Sequence, residues 1–354
     1  MRKWLHWSHE RLGARRPTAM RKLARSHWKI LIAILLAIAL ATLTLETDSA
    51  APAADLSVRL RTHVGAIASQ EHNTATPRAL EQAARHIEAT LEGYGYRLRR
   101  QDYEAGGQKV RNIEVSVSNT APGAKPERIF IVGAHYDSAR GASGANRSGN
   151  DGGSGTAAVL ELARLLKTMQ PSRGTEVKFV FFVNEETPSH LANAMGDEVG
   201  SMQHARDLKK NGHNVEEALI LETIGWYSQA RNSQKLPPGL EQHYPSTGNF
   251  IAFVGTLESS ALVRQALAAF KAQSDLPTEG LAAPAHVMGV TLSDHSSYNR
   301  QGYPALMITD TAFLRYPYYH TAEDTPDKLD YASMARVVKG LARTMESLAG
   351  AATT

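Results

Sequence analysis

Ile131-Val-Gly-Ala-His-Tyr-Asp-Ser138 is an apolar run that ends in a histidine and an aspartate, and similar runs recur along the chain. Asn150-Asp-Gly-Gly-Ser-Gly155 follows it, and a later apolar run ends in Val183-Asn-Glu-Glu186. Apolar runs of this length are typical of strands that are buried on both faces. Residues that are distant in sequence can converge where such strands end. The 354 residues include no cysteine, so a strong cation site here has to use imidazole and carboxylate ligands, and these residues are of that kind.

Predicted strands and helices alternate outward from these runs. The predicted strands are Val110–Val117, Ile129–Ala134, Val177–Val183, Ala218–Ile224, Phe250–Val254 and Pro304–Thr309. The predicted helices are Pro77–Leu91, Thr156–Met169, Val199–Lys210, Ser259–Ala272 and Tyr331–Leu348. This alternation predicts an α/β fold, a three-layer α/β/α sandwich with a mixed, largely parallel central sheet. The long connection at Tyr227–Asn249 is expected near the functional rim, because long loops in compact domains are often functional.

Polar residues at the ends of the predicted strands are the first candidate functional groups. In α/β sheets, functional side chains gather at the carboxyl ends of strands. His135 lies at such an end, and Asp137 can hold the second imidazole nitrogen and so fix the tautomer. An ordinary core histidine is the alternative for an isolated His135. Asp151 precedes a predicted helix, where an N-cap is the alternative, but the glycines around it let backbone approach the carboxylate closely.

Three carboxylates and a loop histidine complete the candidate set. Glu185 and Glu186 follow an apolar run, and burying two like charges is costly unless a cation or a proton compensates them. One of the pair can then bind metal while its neighbour acts as a general base, and a solvated acidic turn is the alternative. Glu222 is a single acid within an apolar run and needs a partner. Tyr319 and His320 lie on a loop before the closing helix, where a plain polar turn is the alternative.

The composition is that of a globular protein, and its charge is unevenly distributed. With 42% hydrophobic and 21% charged residues, the chain can bury a substantial core. Nine Lys/Arg and one acid give residues 1–29 a charge of +8, so the formal net charge of +4 leaves −4 for the remainder. The basic character therefore does not indicate a nucleic-acid partner for the folded part, and we predict none.

Residues 30–45 form an uncharged apolar segment directly after the basic one. As a helix this segment would rise about 24 Å, slightly short of a ~30 Å hydrocarbon core. We predict a basic cytoplasmic tail at 1–29, a transmembrane signal anchor at 30–45, a linker at 46–55 and a folded domain at 56–350. Positive flanks stay in the cytoplasm, so the domain is expected in the periplasm, anchored to a bacterial inner membrane. A cleaved leader ending near Ser49-Ala-Ala-Pro-Ala-Ala54, and hence a secreted domain, is the alternative.

Four motifs occur in a fixed order: His-Tyr-Asp-Ser, Asn-Asp-Gly-Gly-Ser-Gly, Asn-Glu-Glu and Tyr-His-Thr. In this order they resemble the M28 family of zinc peptidases, which includes bacterial aminopeptidases and, more distantly, glutaminyl cyclases. The resemblance covers nearly all of the predicted domain and implies a zinc-exopeptidase-like fold with two zinc ions per chain. It implies that His135 and Glu222 bind one zinc ion and that Glu186 and His320 bind the other. Asp151 would bridge both ions.

The same resemblance implies roles for three further residues. Glu185 would be the general base, Tyr319 would help to stabilise a tetrahedral oxyanion, and Asp137 would orient His135. Glu222 departs from the family pattern, because many relatives carry aspartate at this position. The implied function is a membrane-anchored dizinc metallopeptidase, in the first place an aminopeptidase that releases N-terminal residues from peptides. A glutaminyl-cyclase-like acyltransferase with one zinc ion and a catalytically silent binding ectodomain are the open alternatives.

Overall fold

Eight strands of the described chain form one sheet, and helices cover both of its faces. The computed structural model describes residues 55–141, 145–187 and 196–350. The strands are β1 Arg99–Ala105, β2 Gln108–Ser118, β3 Arg128–His135, β4 Thr175–Phe182, β5 Val215–Glu222, β6 Ile251–Thr256, β7 Thr278–Ala283 and β8 Ala305–Thr309. The helices are α1 at residues 55–67, α2 Pro77–Gly93, α3 Gly153–Leu165, α4 Gly200–Lys210, α5 Ser260–Gln273, α6 His295–Arg300 and α7 Tyr331–Ala349.

The sheet is mixed and has a parallel centre. Its strand order is β1-β2-β4-β3-β5-β8-β6-β7. The four central strands β4, β3, β5 and β8 are parallel to one another. On the two sides, β2 is antiparallel to β4 and β6 is antiparallel to β8. The carboxyl ends of the four central strands therefore lie along one edge of the sheet, which is where the sequence predicted the functional residues to gather.

The core has two main parts, one on each face of the sheet. The larger apolar cluster packs α1, α2, α3, α5 and α7 against one face, and a smaller cluster packs α4 and α6 against the other. Strand β3 contributes Phe130 and Val132 to the larger cluster and Ile129 and Ile131 to the smaller one. This burial of both faces explains the unbroken apolar run that the sequence showed. The predicted three-layer sandwich is confirmed.

Four elements were not predicted from the sequence, namely α1, α6, β1 and β7. Strands β1 and β7 are the two edges of the sheet, and β1 reads Arg99-Arg-Gln-Asp-Tyr-Glu-Ala105, a polar sequence without a strand-like apolar pattern. Charged side chains on an edge strand oppose pairing with other chains. Helix α6 has only six residues. Helix α1 carries apolar residues at helical spacing, a signal that was present in the sequence: Leu56, Leu60, Val64 and Ile67.

The predicted tail, anchor and nearly all of the linker, at residues 1–54, lie outside the described residues, and those assignments stay predictions. Asp55, the last residue of the predicted linker, is already helical. Among the helices that the structure describes, none is long and apolar enough to cross a bilayer.

Candidate metal centre

Six polar side chains meet at the carboxyl edge of the central strands. His135 is the last residue of β3 and Glu222 is the last residue of β5, and these strands are neighbours. Glu185 and Glu186 follow β4, which lies on the other side of β3. Asp151 comes from the glycine-rich turn that leads into α3. The loop between β8 and α7 brings His320 to the same place.

The side chains form two groups that share Asp151. In the first group, His135 Nε2 lies 3.2 Å from Glu222 Oε2 and 3.5 Å from Asp151 Oδ1. In the second group, His320 Nε2 lies 2.9 Å from Asp151 Oδ2 and 3.1 Å from Glu186 Oε1. Two nitrogen or oxygen ligands of one tetrahedral zinc ion, each ~2.1 Å from the metal, are about 3.4 Å apart. The two groups contain the same residues as the two ligand sets that the family resemblance implied, and their spacings suit ligands of one zinc ion; the assignment of these residues as zinc ligands stays a prediction.

Three buried polar atoms of the centre make no well-formed hydrogen bond in the described chain, although two of them lie within 3.2 Å of other members of the cluster. They are His135 Nε2, Asp151 Oδ2 and Glu222 Oε1. All three residues are almost completely buried, at 1%, 1% and 6% exposure. A buried polar atom without a partner costs roughly 1–3 kcal/mol, so such atoms need an explanation. A divalent cation coordinated by these atoms would provide one, and imidazole and carboxylate are ligands that zinc accepts.

Electrostatics of the cluster also favour a bound cation. Burial, and then the charge of Asp151, raise the pKa of Glu186 to about 8. Burial likewise raises the pKa of Glu185 and Glu222. Burial would lower the pKa of His320, but Asp151 and Glu186 outweigh it and raise that pKa to about 11. The cluster thus holds protons that compensate its negative charge, and metal binding to such groups releases protons.

Asp137 contacts both His135 and the glutamate pair. Its two carboxylate oxygens accept hydrogen bonds from the main-chain N–H groups of Glu185 and Glu186, each at 3.1 Å. His135 Nδ1 contacts the main-chain oxygen of Asp137 at 3.1 Å, and the carboxylate lies further away at 3.8 Å. The predicted contact between Asp137 and His135 is therefore present, but the carbonyl makes it. The carboxylate instead fixes the backbone that carries Glu185 and Glu186.

Backbone strain is concentrated next to the candidate ligands. His320 has φ 58°, Asn184, just before the glutamate pair, has φ 63°, and Thr223, just after Glu222, has φ 44°. Left-handed backbone is uncommon for residues other than glycine, and for a β-branched residue such as threonine it is a clear outlier. Such strain persists where the surrounding structure enforces it and often marks functional sites.

The glycine-rich turn allows close packing around Asp151. The N-cap of α3 is Gly152, so the alternative role of Asp151 as the N-cap is not what the structure shows. Gly152 has φ 78°, and a Cβ atom there would lie 2.8 Å from the Asp137 carbonyl oxygen and 3.0 Å from His135 Cε1. At Gly155 a Cβ atom would lie 2.6 Å from the carbonyl oxygen of Leu221. Side chains at either position would displace the strands that carry the ligands.

Two buried aspartates that the sequence did not single out hold this turn in place. Asp324 accepts hydrogen bonds from the main-chain N–H groups of Asn150 at 2.8 Å and Asp151 at 3.2 Å. Asp310 accepts from the Asn150 side chain at 2.8 Å and from the Trp226 N–H at 2.8 Å. Asp310 directly follows β8, so the strand-end signal that identified Glu222 could also have identified it. Asp324 lies in a polar loop with no such signal.

Two further side chains contact the candidate ligands. Ser293 donates a hydrogen bond to Glu222 Oε2 at 3.0 Å. The ring of Tyr319 stacks on that of His320, with centroids 3.9 Å apart. Burial, and then the charge of Asp151, raise the pKa of the Tyr319 hydroxyl well above its usual range, so it remains a hydrogen-bond donor at neutral pH. The role of Tyr319 toward an oxyanion stays a prediction.

An apolar pocket opens beside the centre. Glu222 and Tyr319 are among its lining residues, and most of the others are apolar side chains from β6, β7, β8, the connection before β6 and the segments after β7 and β8. The connection that the sequence predicted near the rim supplies Leu236, Pro237, Leu240 and Tyr244. Pockets lined mainly by apolar side chains with a few polar groups are typical binding sites for small ligands and side chains.

Known proteins with similar sequences include peptidases. A relative from Escherichia coli strain K12, described as "Uncharacterized protein YfbL", is 38% identical over 267 residues, which cover 74% of this chain and 78% of the relative. A "Probable leucine aminopeptidase" from Trichophyton verrucosum is 28% identical over 248 residues, 66% of this chain and 59% of the relative. The chain thus spans less than two thirds of the length of that fungal relative.

Solved structures share the fold. The "LapA aminopeptidase" of Legionella pneumophila has a TM-score of 0.65 at 18% identity, over 87% of this chain and 76% of that one. A "glutaminyl cyclase" from Fimbriiglobus ruber has a TM-score of 0.57 at 21% identity, over 82% and 94%. The model of the family described as "Peptidase family M28" matches residues 115–345, which contain all of the candidate ligands. The motif order, the shared fold and this match together show that the chain belongs to peptidase family M28.

Proposed function

We propose that the protein is a dizinc aminopeptidase that releases N-terminal residues from peptides. The observation that carries the proposal is the pair of ligand groups that share Asp151, beside an apolar pocket at the carboxyl edge of the sheet. His135 and Glu222 would hold one zinc ion and Glu186 and His320 the other. The names of the fungal relatives as leucine aminopeptidases support the same reaction.

Two zinc ions bound there would supply Lewis-acid polarisation of a peptide carbonyl and a more acidic water molecule. The chain's own residues would move the protons. Glu185 belongs to the same cluster of side chains. Two bound cations would favour its ionised form, which could accept a proton from water and pass it to the leaving amine. The Tyr319 hydroxyl would donate a hydrogen bond to the oxygen on which negative charge develops. Asp137 would keep Glu185 in place, because its carboxylate accepts a hydrogen bond from the main-chain N–H of Glu185.

A glutaminyl-cyclase-like acyltransferase is the second candidate function. The group formed by Asp151, Glu186 and His320 is by itself a three-ligand set, and one zinc ion there would suffice for that reaction. The structural likeness to the Fimbriiglobus ruber enzyme is in the fold alone. The dizinc hypothesis is favoured because His135 and Glu222 form a second possible ligand group with the same Asp151. A catalytically silent binding ectodomain is disfavoured because all five candidate ligands and Glu185 are present.

The test is an assay of fluorogenic aminoacyl substrates with and without a chelator, combined with zinc analysis. We expect release of N-terminal residues, loss of activity with chelator, recovery with zinc and about two zinc ions per chain. One zinc ion together with conversion of N-terminal glutamine to pyroglutamate would replace this function with the cyclase. If the folded protein with added zinc catalyses neither reaction, the protein is the catalytically silent binding ectodomain.

We also propose that residues 30–45 anchor the protein in a bacterial inner membrane with the catalytic domain in the periplasm. The support is the uncharged apolar segment that directly follows residues 1–29, which include nine basic residues. In cell fractionation the full chain is expected in the membrane fraction, resistant to alkaline extraction, and a chain beginning at residue 46 with a cleavable leader is expected in the soluble periplasm. Release of the full chain as a shorter soluble form would show instead that the segment is a cleaved leader.

A further inference from the structure

One row of paired residues crosses four strands, from the metal centre to the edge of the sheet. Glu222 of β5 pairs with Thr309 of β8, Thr309 pairs with Ala252 of β6, and Ala252 pairs with Glu279 of β7. Side chains of directly paired residues lie on the same face of a sheet. Neighbouring strands are about 4.8 Å apart, so Glu222 and Glu279 lie about 14 Å apart along the row.

The middle of this row is the floor of the apolar pocket. Thr309 and Ala252 carry small side chains, and both line the pocket. On the same face, the residues two positions along each strand are larger and form its walls. These wall residues are Met307, Val254 and Leu281 on one side and Phe250 on the other. The pocket is therefore a trough that runs from the metal centre toward Glu279.

Glu279 places a carboxylate at the far end of the trough. It lines the pocket and is partly exposed. Its carboxylate forms neither an ion pair nor a hydrogen bond with any residue of the described chain. The nearby Tyr244 hydroxyl is already engaged, because it donates to the main-chain oxygen of Gly280 at 2.9 Å. Tyr244 and Glu279 both line the pocket, and the Tyr244 hydroxyl contacts the residue that follows Glu279.

We propose that Glu279 makes the enzyme select peptides whose N-terminal residue is lysine or arginine. The inference rests on the proposed aminopeptidase function and names its substrate class. Lysine and arginine combine an apolar stem with a cationic end, and an apolar trough with an acid at its end is complementary to both parts. A cation in contact with Glu279 forms a charge-assisted hydrogen bond, which is stronger than a neutral one.

The length of the trough fits these side chains. With bonds of ~1.5 Å, an extended lysine spans about 8 Å from its carbonyl carbon to its ammonium group. A hydrogen bond to Glu279 adds about 2.8 Å. The sum of about 11 Å is within the ~14 Å that separates the backbones of Glu222 and Glu279 along the row, so a lysine side chain can lie between the metal centre and Glu279. A leucine side chain is about two bonds shorter than a lysine side chain and ends over the floor of the trough.

The kinetic test compares Lys, Nε-acetyl-Lys and Leu aminoacyl-methylcoumarin substrates. Acetyl-lysine keeps the stem and removes the charge. We expect the wild type to prefer Lys over both others, and Glu279→Gln to lower the Lys-to-Leu ratio of kcat/KM by about tenfold, the effect of losing one charge-assisted hydrogen bond. Glu216→Gln is the matched control, because Glu216 is an exposed acid at the opposite end of the sheet, and this variant is expected to keep the wild-type ratio.

A binding test separates this inference from the proposed function. Calorimetry with zinc-loaded Glu185→Gln protein measures Lys-Ala and Nε-acetyl-Lys-Ala without turnover, and we expect about tenfold tighter binding of Lys-Ala that disappears when Glu279→Gln is added. If aminoacyl substrates are cleaved but Glu279→Gln leaves the Lys-to-Leu ratio unchanged, the selection is wrong and the aminopeptidase stands. If nothing is cleaved, the aminopeptidase is wrong, and equal binding of the two dipeptides then overturns the lysine site as well.

Discussion

Glu185→Gln is expected to lower kcat by about 10²- to 10⁴-fold while two zinc ions stay bound. This range is what a positioned general base contributes. Glutamine keeps the shape of the side chain and cannot accept the proton. Because burial already favours the neutral form of Glu185, an amide there should not destabilise the fold. The value of kcat is measured with an aminoacyl substrate, and the zinc content is measured on the same preparation.

The control for this variant is Glu216→Gln, which makes the same chemical change on the exposed part of β5 and should keep full activity. Activity of Glu185→Gln close to that of the wild type would remove Glu185 from the reaction. Loss of zinc together with activity would instead place Glu185 among the metal ligands. His135, Glu185 and Glu186 do form a third group of possible ligands, so this outcome is a real competitor.

Asp151→Asn is expected to lower the zinc content from about two ions per chain to less than one. Asp151 is the one residue common to both predicted ligand groups, and its two oxygens face different histidines, at 3.5 Å from His135 and 2.9 Å from His320. Asparagine removes the negative charge and replaces one oxygen with a nitrogen that does not bind zinc in this form. We expect kcat/KM to fall by at least roughly a thousandfold, because metal polarisation is worth several kcal/mol.

Glu222→Gln is the matched comparison, because it removes a ligand from one group only. About one zinc ion should remain in that variant. The fold should persist in Asp151→Asn, because Asp324 holds the main-chain N–H of residue 151, which the substitution keeps. Circular dichroism checks this point. Two zinc ions retained by folded Asp151→Asn would show that Asp151 is not shared.

The sequence could predict the centre because most of its residues follow buried strands. His135 ends β3, Glu222 ends β5, and the glutamate pair follows β4, so each apolar run marked the position of a candidate ligand. Three neighbouring parallel strands then bring these ends together by geometry alone. His320 lies on a loop, and only the resemblance to a known family assigned it to the same place.

The supporting contacts could not be predicted, because they depend on which distant segments meet. Asp324 reaches Asn150 across 174 positions of the sequence. The Asp137 carboxylate holds two main-chain N–H groups 48 and 49 residues away, a choice that neither spacing nor composition encodes. The row of paired residues from Glu222 to Glu279 could not be predicted either, because it depends on the strand order and on the register of the strands.

The edge strands were missed for a different reason. A strand with a single neighbour needs no continuous apolar sequence, and polar side chains on it protect the sheet from further pairing. Strand β7 includes the charged residue Glu279. The sequence pattern of β7 therefore did not distinguish it from a loop. The edge that was hardest to recognise is also where the proposed lysine contact lies.

The reversed direction of β6 separates recognition from chemistry along the chain. The candidate metal ligands lie at the ends of strands or in segments that follow them. Strand β6 runs antiparallel to β8, so the beginning of β6 faces the centre. The pocket residues Leu236, Leu240 and Tyr244 accordingly precede a strand. Mutations or insertions in the segment that precedes β6 can therefore change which ligands fit the pocket without moving any of the candidate zinc ligands. In related enzymes, the substrate preference can therefore change while the catalysed reaction stays the same.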